Sequence, residues 1–379
     1  MSEAGRVSRR DFLAASLLAP ALARLQAPVD SRLVGTVPFG VPGARTTPLN
    51  RLLGSGLDAR LFSDLSPITD SALTTPTDRF FVRTAAAPAL PASDNWSVTL
   101  GGQVADRAAL DLPSLRAMSQ PAGRVLIECA GNSDPMNYGL MSVADWDGVP
   151  LTKLLERVKP TAARHRILVS GFDDERTVTR TSVPGASWIF TGDELARAFL
   201  ALRMNGDPLT RDHGAPLRLV VPGWYGCACI KWVNHIDLVS DEAARTGQMA
   251  EYAGRTHQGG QPELARDFQP AVIDTAALPV RIERWARGDK TFYRVIGIIW
   301  GGSKPTNQLA IRFRTSGPWT PVENCPLPSS TLSWSLWTHT WTPAEPGRYE
   351  IVLKVTDPSI RTRRLDLFYY VRDLTIEEI

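Results

Sequence analysis

An α+β domain followed by an all-β sandwich is the architecture this sequence predicts, on three observations. Between residues 76 and 240 short strand-like and short helical runs mix without regular βαβ alternation, which disfavours a doubly wound sheet. Residues 241–275 turn polar, with Gly259-Gly260 and scattered charges, in the manner of a linker that wraps rather than packs. From residue 276 onward short alternating segments follow one another, separated by turn residues at the spacing of a β-sandwich. At 379 residues the chain is long enough for two or three domains with a real core. Its 43% apolar and 21% charged residues fit neither a disordered chain nor a membrane bundle. The formal charge of +3 is small and no basic stripe with interleaved aromatics accompanies it, which argues against nucleic acid as a partner.

The elements follow in order. Residues 1–27 read as a signal peptide: Ser8-Arg9-Arg10-Asp11-Phe12-Leu13 resembles the twin-arginine export motif and precedes a short apolar stretch. That stretch is too short for a stable membrane span, and Ala21-Leu22-Ala23 or Leu25-Gln26-Ala27 suits cleavage. Residues 28–75, rich in Pro, Gly and Leu without periodicity, predict an extended segment laid over a domain surface. Residues 96–100 alternate like a strand, and Leu112-Pro113-Ser114-Leu115 opens a short helix. Residues 124–127 form an apolar run suited to a buried strand; 151–156 have the spacing of an amphipathic helix; 166–172 predict a strand and 194–202 a helix. In the last unit, 276–379, strands are expected at 292–297, 308–314, 331–337 and 347–355, with Trp334, Trp337 and Trp341 in a core or interface.

Cys129 is the first candidate for chemistry. It ends the 124–127 run and precedes Ala130-Gly131-Asn132, small residues suited to a tight turn that lets a large ligand approach the backbone. A soft thiolate held at a strand end suits a metal that already carries sulfur ligands. Taken alone, Cys129 better suits a buried packing residue, the commonest fate of a free cysteine. Further on, Arg218 and Lys231 can meet an anionic group and His213 can hydrogen-bond a ring. Singly, each also suits an ordinary role in a core or an ion pair.

Their joint order carries more. Glu128-Cys129-Ala130-Gly131-Asn132, Met204-Asn205-Gly206-Asp207-Pro208-Leu209, Asp212-His213-Gly214-Ala215-Pro216-Leu217-Arg218, Val221-Pro222-Gly223-Trp224-Tyr225-Gly226 and Lys231-Trp232 together resemble the sulfite oxidase family of molybdenum enzymes. The resemblance implies molybdopterin as cofactor, Cys129 as the one protein thiolate on molybdenum, and a molybdopterin-binding domain over residues 76–240 enclosing it with His213, Arg218 and Lys231. It also implies that Arg83, in Phe80-Phe81-Val82-Arg83, lies near the metal, and that residues 276–379 form an immunoglobulin-like domain mediating a homodimer. Three departures concern substrate and cofactor contacts. Thr84 and Ala85 replace an Asn-His pair, Ser133 and Asp134 replace two arginines, and Leu202 replaces a tyrosine. An aspartate in place of an arginine repels an anion instead of attracting it. Arg83, Arg180, Arg361, Arg363 or Arg364 are the candidates to restore the charge.

Of the four cysteines, Cys227 and Cys229 stand too close together for an unstrained disulfide and read as reduced packing residues, with a redox or secondary ligand role as the other reading. No C-x-x-C-H haem site is present, so electrons are expected to pass to an external carrier such as cytochrome c. The function expected is periplasmic, two-electron oxygen-atom transfer on sulfite or a related small sulfur compound. Two alternatives stand beside it: a methionine sulfoxide reductase on the same cofactor, and a metal-free secreted binding protein on the same scaffold.

Overall fold

Among the described residues, runs of β-branched and aromatic residues pair into five sheets, and helices are few and short. The computed structural model describes residues 28–40, 46–86, 90–135, 137–172, 186–314, 316–377 and 379; the twin-arginine run and Arg180 lie outside them. Among the described residues no helix is long and apolar enough to cross a membrane.

Two five-stranded sheets and a small three-stranded one build the first unit. One sheet runs in the order Ser187–Phe190, His165–Gly171, Val233–Ser240, Ser97–Gly102, Ala108–Asp111, with a parallel pair between Val233–Ser240 and Ser97–Gly102. The other runs Asp207–Pro208, Phe199–Met204, Met141–Pro150, Gln120–Glu128, and Arg218–Val220 pairs with Phe199–Met204 from the side. Leu52–Leu53, Arg60–Leu61 and Val82–Arg83 form the third. The Leu112–Met118 helix starts where sequence cues place it: the Asp111 carboxylate accepts from the Ser114 N–H at 2.9 Å, and Leu112 and Leu115 bury its apolar face. Trp146, Trp188 and Trp232 are fully buried in the core of this unit.

The C-terminal unit holds two four-stranded antiparallel sheets. Ala276–Arg287, Lys290–Trp300 and Ser335–Trp341 make one, with Arg32–Val37 added at its edge; Thr320–Pro321, Leu309–Arg312, Gly347–Val355 and Arg372–Ile376 make the other. Contacts between Ala276–Arg287 and Gly347–Val355 join the two. Trp334 and Trp337 are buried, and Trp341 stacks on Phe313 with ring centroids 4.1 Å apart.

Three sequence expectations require correction. Residues 194–202 are not a helix: one turn tied by Thr191 and Glu194 leads directly into the Phe199–Met204 strand. The strand pairs on both sides and is buried, so sheet pairing overrides helix propensity there. Residues 241–275 are more than a wrapping linker. Thr246 caps a helix at Gly247–Tyr252, and Met249, Tyr252 and Ala253 are buried. The segment at 28–75 is divided rather than laid over one domain, since Arg32–Val37 joins the C-terminal sheet while 52–53 and 60–61 pair beside Arg83.

Candidate active site

Cys129 follows the last residue of the Gln120–Glu128 strand, and its loop is closed by backbone and side-chain bonds. Its N–H donates to Leu140 O at 2.9 Å, Asn132 N–H donates back to Cys129 O at 3.0 Å, and the Asn132 side chain bridges Tyr138 O and Leu140 N. The Gly131 N–H points at the sulfur, 3.4 Å away. Burial pushes the Cys129 thiol up, while the Gly131 N–H and the guanidinium charges of Arg83, Arg60 and Arg255 pull it down. A buried thiol among cations is suited to ligate as a thiolate once a metal supplies the missing charge.

Arg60 and Arg83 stand directly opposite each other on paired strands and both donate to Leu57 O. Like charges in register are unfavourable, and burial together with Arg83 lowers Arg60 to about 10. The third guanidinium comes from the corrected segment: a Cβ built on Gly131 would lie 3.0 Å from Arg255 Nη1 and 3.8 Å from the Cys129 sulfur. Sequence reasoning missed Arg60 and Arg255, because neither lies in a recognisable motif and only folding brings them to the cysteine.

Beside the sulfur opens a pocket, partly open to solvent, with about 730 Å³ of empty space when the open solvent in its mouth is counted. Cys129, Arg83, Arg218 and Lys231 all line it, so four of the five site residues expected from sequence come together. Lys231 Nζ donates to Thr84 O at 2.6 Å and to Asp212 O at 2.8 Å, which fixes its position. Arg218 is only 4% exposed; Nη1 donates to His213 O at 3.3 Å, and buried Nε has no partner among the described residues. Gly214 makes this crowding possible. At φ +106°, a Cβ there would stand 3.1 Å from Arg218 Cβ and 3.2 Å from Lys231 Cβ. Gln248, Glu251 and Tyr252 close another side of the cavity.

His213 is the fifth expected residue and does not line this cavity. Its Nε2 donates to Phe80 O at 3.1 Å and its Nδ1 accepts from the Thr210 hydroxyl at 2.7 Å, leaving no ring nitrogen for a ligand. Burial pushes its pKa down to about 4, so the ring is neutral. It supports the site through the carbonyl that holds Arg218. Cys227 and Cys229 are free, buried and line the cavity, with burial raising both thiols.

The residues tied to substrate charge behave unlike their sequence positions suggest. Asp134 accepts from the Thr47 hydroxyl at 2.6 Å and Asn137 N–H at 2.9 Å, and its charge also acts on Arg372. Leu202 is buried in its strand, and neither residue lines the cavity. Of the C-terminal arginines, Arg361 pairs with Asp274, Arg363 with Glu128 and Arg364 with Asp366. None of the three lines the cavity.

A molybdopterin fits this donor set. Lys231 and the Arg218 nitrogen lacking a partner suit an anionic group, and Cys129 offers a thiolate at the same cavity. Among the described residues no cluster of three or more His, Cys, Asp or Glu is placed to hold a metal.

The comparisons with known proteins agree. Residues 85–247 match the oxidoreductase molybdopterin binding domain. The mitochondrial sulfite oxidase of Rattus norvegicus is 27% identical over 321 residues, covering 77% of this chain and 57% of the relative. The sulfite oxidase of Arabidopsis thaliana is 30% identical over 197 residues, 46% of this chain and 49% of that protein. The chain thus spans about half the length of the curated relatives it matches. In fold it is similar to the sulfane dehydrogenase SoxCD from Paracoccus pantotrophus, with a TM-score of 0.63, 16% identity, and coverage of 97% of this chain and 98% of the other. Residues 85–247 thus carry an oxidoreductase molybdopterin binding domain, and the chain is similar to sulfite oxidases among the molybdopterin-dependent oxidoreductases.

Proposed function

We propose that this protein carries out two-electron oxygen-atom transfer on sulfite or a related small sulfur anion. The observation that carries the reading is the grouping of Arg60, Arg83 and Arg255 around the Cys129 sulfur. Of the three, Arg83 lines the cavity while Arg60 and Arg255 stand behind it near the sulfur, and together their charges favour an anion there. When bound, the cofactor supplies the oxygen-atom transfer itself. Cys129 would anchor and tune the metal, and Lys231 and Arg218 would hold the anionic end of the cofactor. Cations near the sulfur favour an anionic substrate over a neutral sulfoxide.

The same reading extends to the cell. A twin-arginine pattern at residues 8–13 suits a protein that receives its cofactor before crossing a membrane, so we read the chain as exported to the periplasm. Electrons then leave to an external carrier such as cytochrome c, and the C-terminal β unit, which we read as immunoglobulin-like, is the candidate homodimer surface. The test is the visible spectrum of the cofactor-loaded protein before and after anaerobic sulfite. Thiolate-to-molybdenum bands that bleach with sulfite and are lost in Cys129→Ser are expected. Bands that persist with sulfite refute this substrate and direction, and bands retained in Cys129→Ser refute the ligand.

A further inference from the structure

The residue before the cysteine is a carboxylate sealed inside the protein. Glu128 has no exposed surface, and its side chain bonds to Arg363 and Trp300 while Cys129, the next residue, lines the cavity. Four bonds meet it. Arg363 donates from Nη1 to Oε1 at 2.6 Å and from Nη2 to Oε2 at 2.8 Å, the Tyr138 hydroxyl donates to Oε1 at 2.8 Å, and Trp300 Nε1 donates to Oε2 at 2.9 Å. Arg363 Nη1 also reaches the Tyr138 and Tyr370 hydroxyls, each at 2.9 Å. Its guanidinium lies over Tyr225, which adjoins the cavity-lining turn Gly226–Ala228, and over Trp300.

Stability alone does not account for this arrangement. Taking a carboxylate and a guanidinium out of water costs about as much as their attraction returns, and an apolar pair in the same space is commonly as stable or more so. What the ion pair adds is direction. A bidentate, fully bonded carboxylate sets the orientation of the strand end as apolar packing cannot. Tyr138 extends the hold around the loop: its hydroxyl binds Glu128 while its carbonyl accepts from Asn132, whose side chain also accepts from Leu140 N–H. Cys129 is therefore clamped before and after. Trp300, Arg363 and Tyr370 belong to the C-terminal half of the chain, outside the residues that match the molybdopterin domain.

We infer that the Glu128–Arg363 pair is a positioning device that aims the Cys129 sulfur into the cavity, making the C-terminal unit a working part of the site. The inference rests on the reading of Cys129 as the metal thiolate. Glu128 and Arg363 are positioning residues, and neither lines the cavity.

The deciding variant is the double substitution Glu128→Met with Arg363→Met, which keeps bulk and removes direction. Two readings are taken: the thiolate-to-molybdenum band of the loaded protein, and iodoacetamide labelling of Cys129 in cofactor-free protein, followed by peptide mass spectrometry. The expected result is a folded protein melting a few degrees below wild type, because Trp300 Nε1 loses its acceptor, with a shifted and broadened band and Cys129 labelling faster by about tenfold while Cys227 and Cys229 stay protected. A folded double variant with an unchanged band and unchanged labelling overturns the inference. Should it fail to fold, Tyr370→Phe, which removes one hydroxyl from the network, is judged by the same two readings. Wild-type bands that survive Cys129→Ser sink the ligand assignment instead, and the labelling reading still decides the positioning.

Discussion

Replacing Arg218 by methionine separates a residue kept for the fold from one kept for a ligand. Its guanidinium is 4% exposed, makes one bond to His213 O at 3.3 Å, and leaves buried Nε without a partner among the described residues. Burial lowers its pKa, the mark of a charge held at a cost. A buried donor without a partner costs about 1–3 kcal/mol, and the bond to His213 returns about 1 kcal/mol. In cofactor-free protein, Arg218→Met should therefore leave the melting temperature unchanged or raise it by about 1–2 °C. In loaded protein the variant loses a charge-assisted bond to the cofactor of about 1.5–3 kcal/mol. Retention should weaken roughly 10- to 150-fold. The assay pairs melting curves, with and without cofactor, with molybdenum content after dialysis. A cofactor-free variant several degrees less stable, with undiminished molybdenum retention, refutes the reasoning and makes Arg218 a fold residue.

Three further outcomes follow from named contacts. The His213 pKa falls from 6.5 to about 4 through burial, so its contribution is complete above pH 6.5 and is lost as pH falls through 4. The loss totals about 3 kcal/mol. Melting curves between pH 7 and pH 4 should flatten in His213→Gln, whose amide can keep both bonds, and an unaltered acid limb would count against the buried neutral ring. Gly214→Ala places a Cβ at φ +106° against Arg218 and Lys231, costing about 1–3 kcal/mol; a denaturant midpoint equal to wild type would contradict it. Arg255→Ala should raise KM for sulfite about three- to tenfold with little change in kcat, and should weaken the dependence of KM on salt. Steady-state kinetics at two ionic strengths check this, and an unchanged KM removes Arg255 from anion capture.

Much of the candidate site was readable from sequence because its chemistry is local. Cys129 lies beside a strand that apolar patterning identifies, and Arg218 and Lys231 lie in a stretch dense with glycine and proline, where backbone geometry limits the choice of residue. The same reading misplaced His213, since a histidine in a ligand-binding stretch and one satisfied by Phe80 and Thr210 look alike until the fold supplies the partners. It also misjudged Asp134. A charge has a sign in sequence but no direction, and the fold turns this one toward Thr47 and Arg372.

By itself, the sequence determined which groups were present: one thiol at a strand end, the cations for an anionic cofactor, and a β-rich second half. Tertiary structure decided which of them meet. Arg60 faces Arg83 only because two short strands pair in that register. Arg255 reaches the cysteine loop only because polar residues after 240 fold into the Gly247–Tyr252 helix and pack. Arg363, 235 residues from Glu128, finds it across the two halves of the chain. Periodicity records how each segment buries its own apolar face, whereas a charge finds its partner through the packing of segments distant in sequence, and local patterning carries no trace of that.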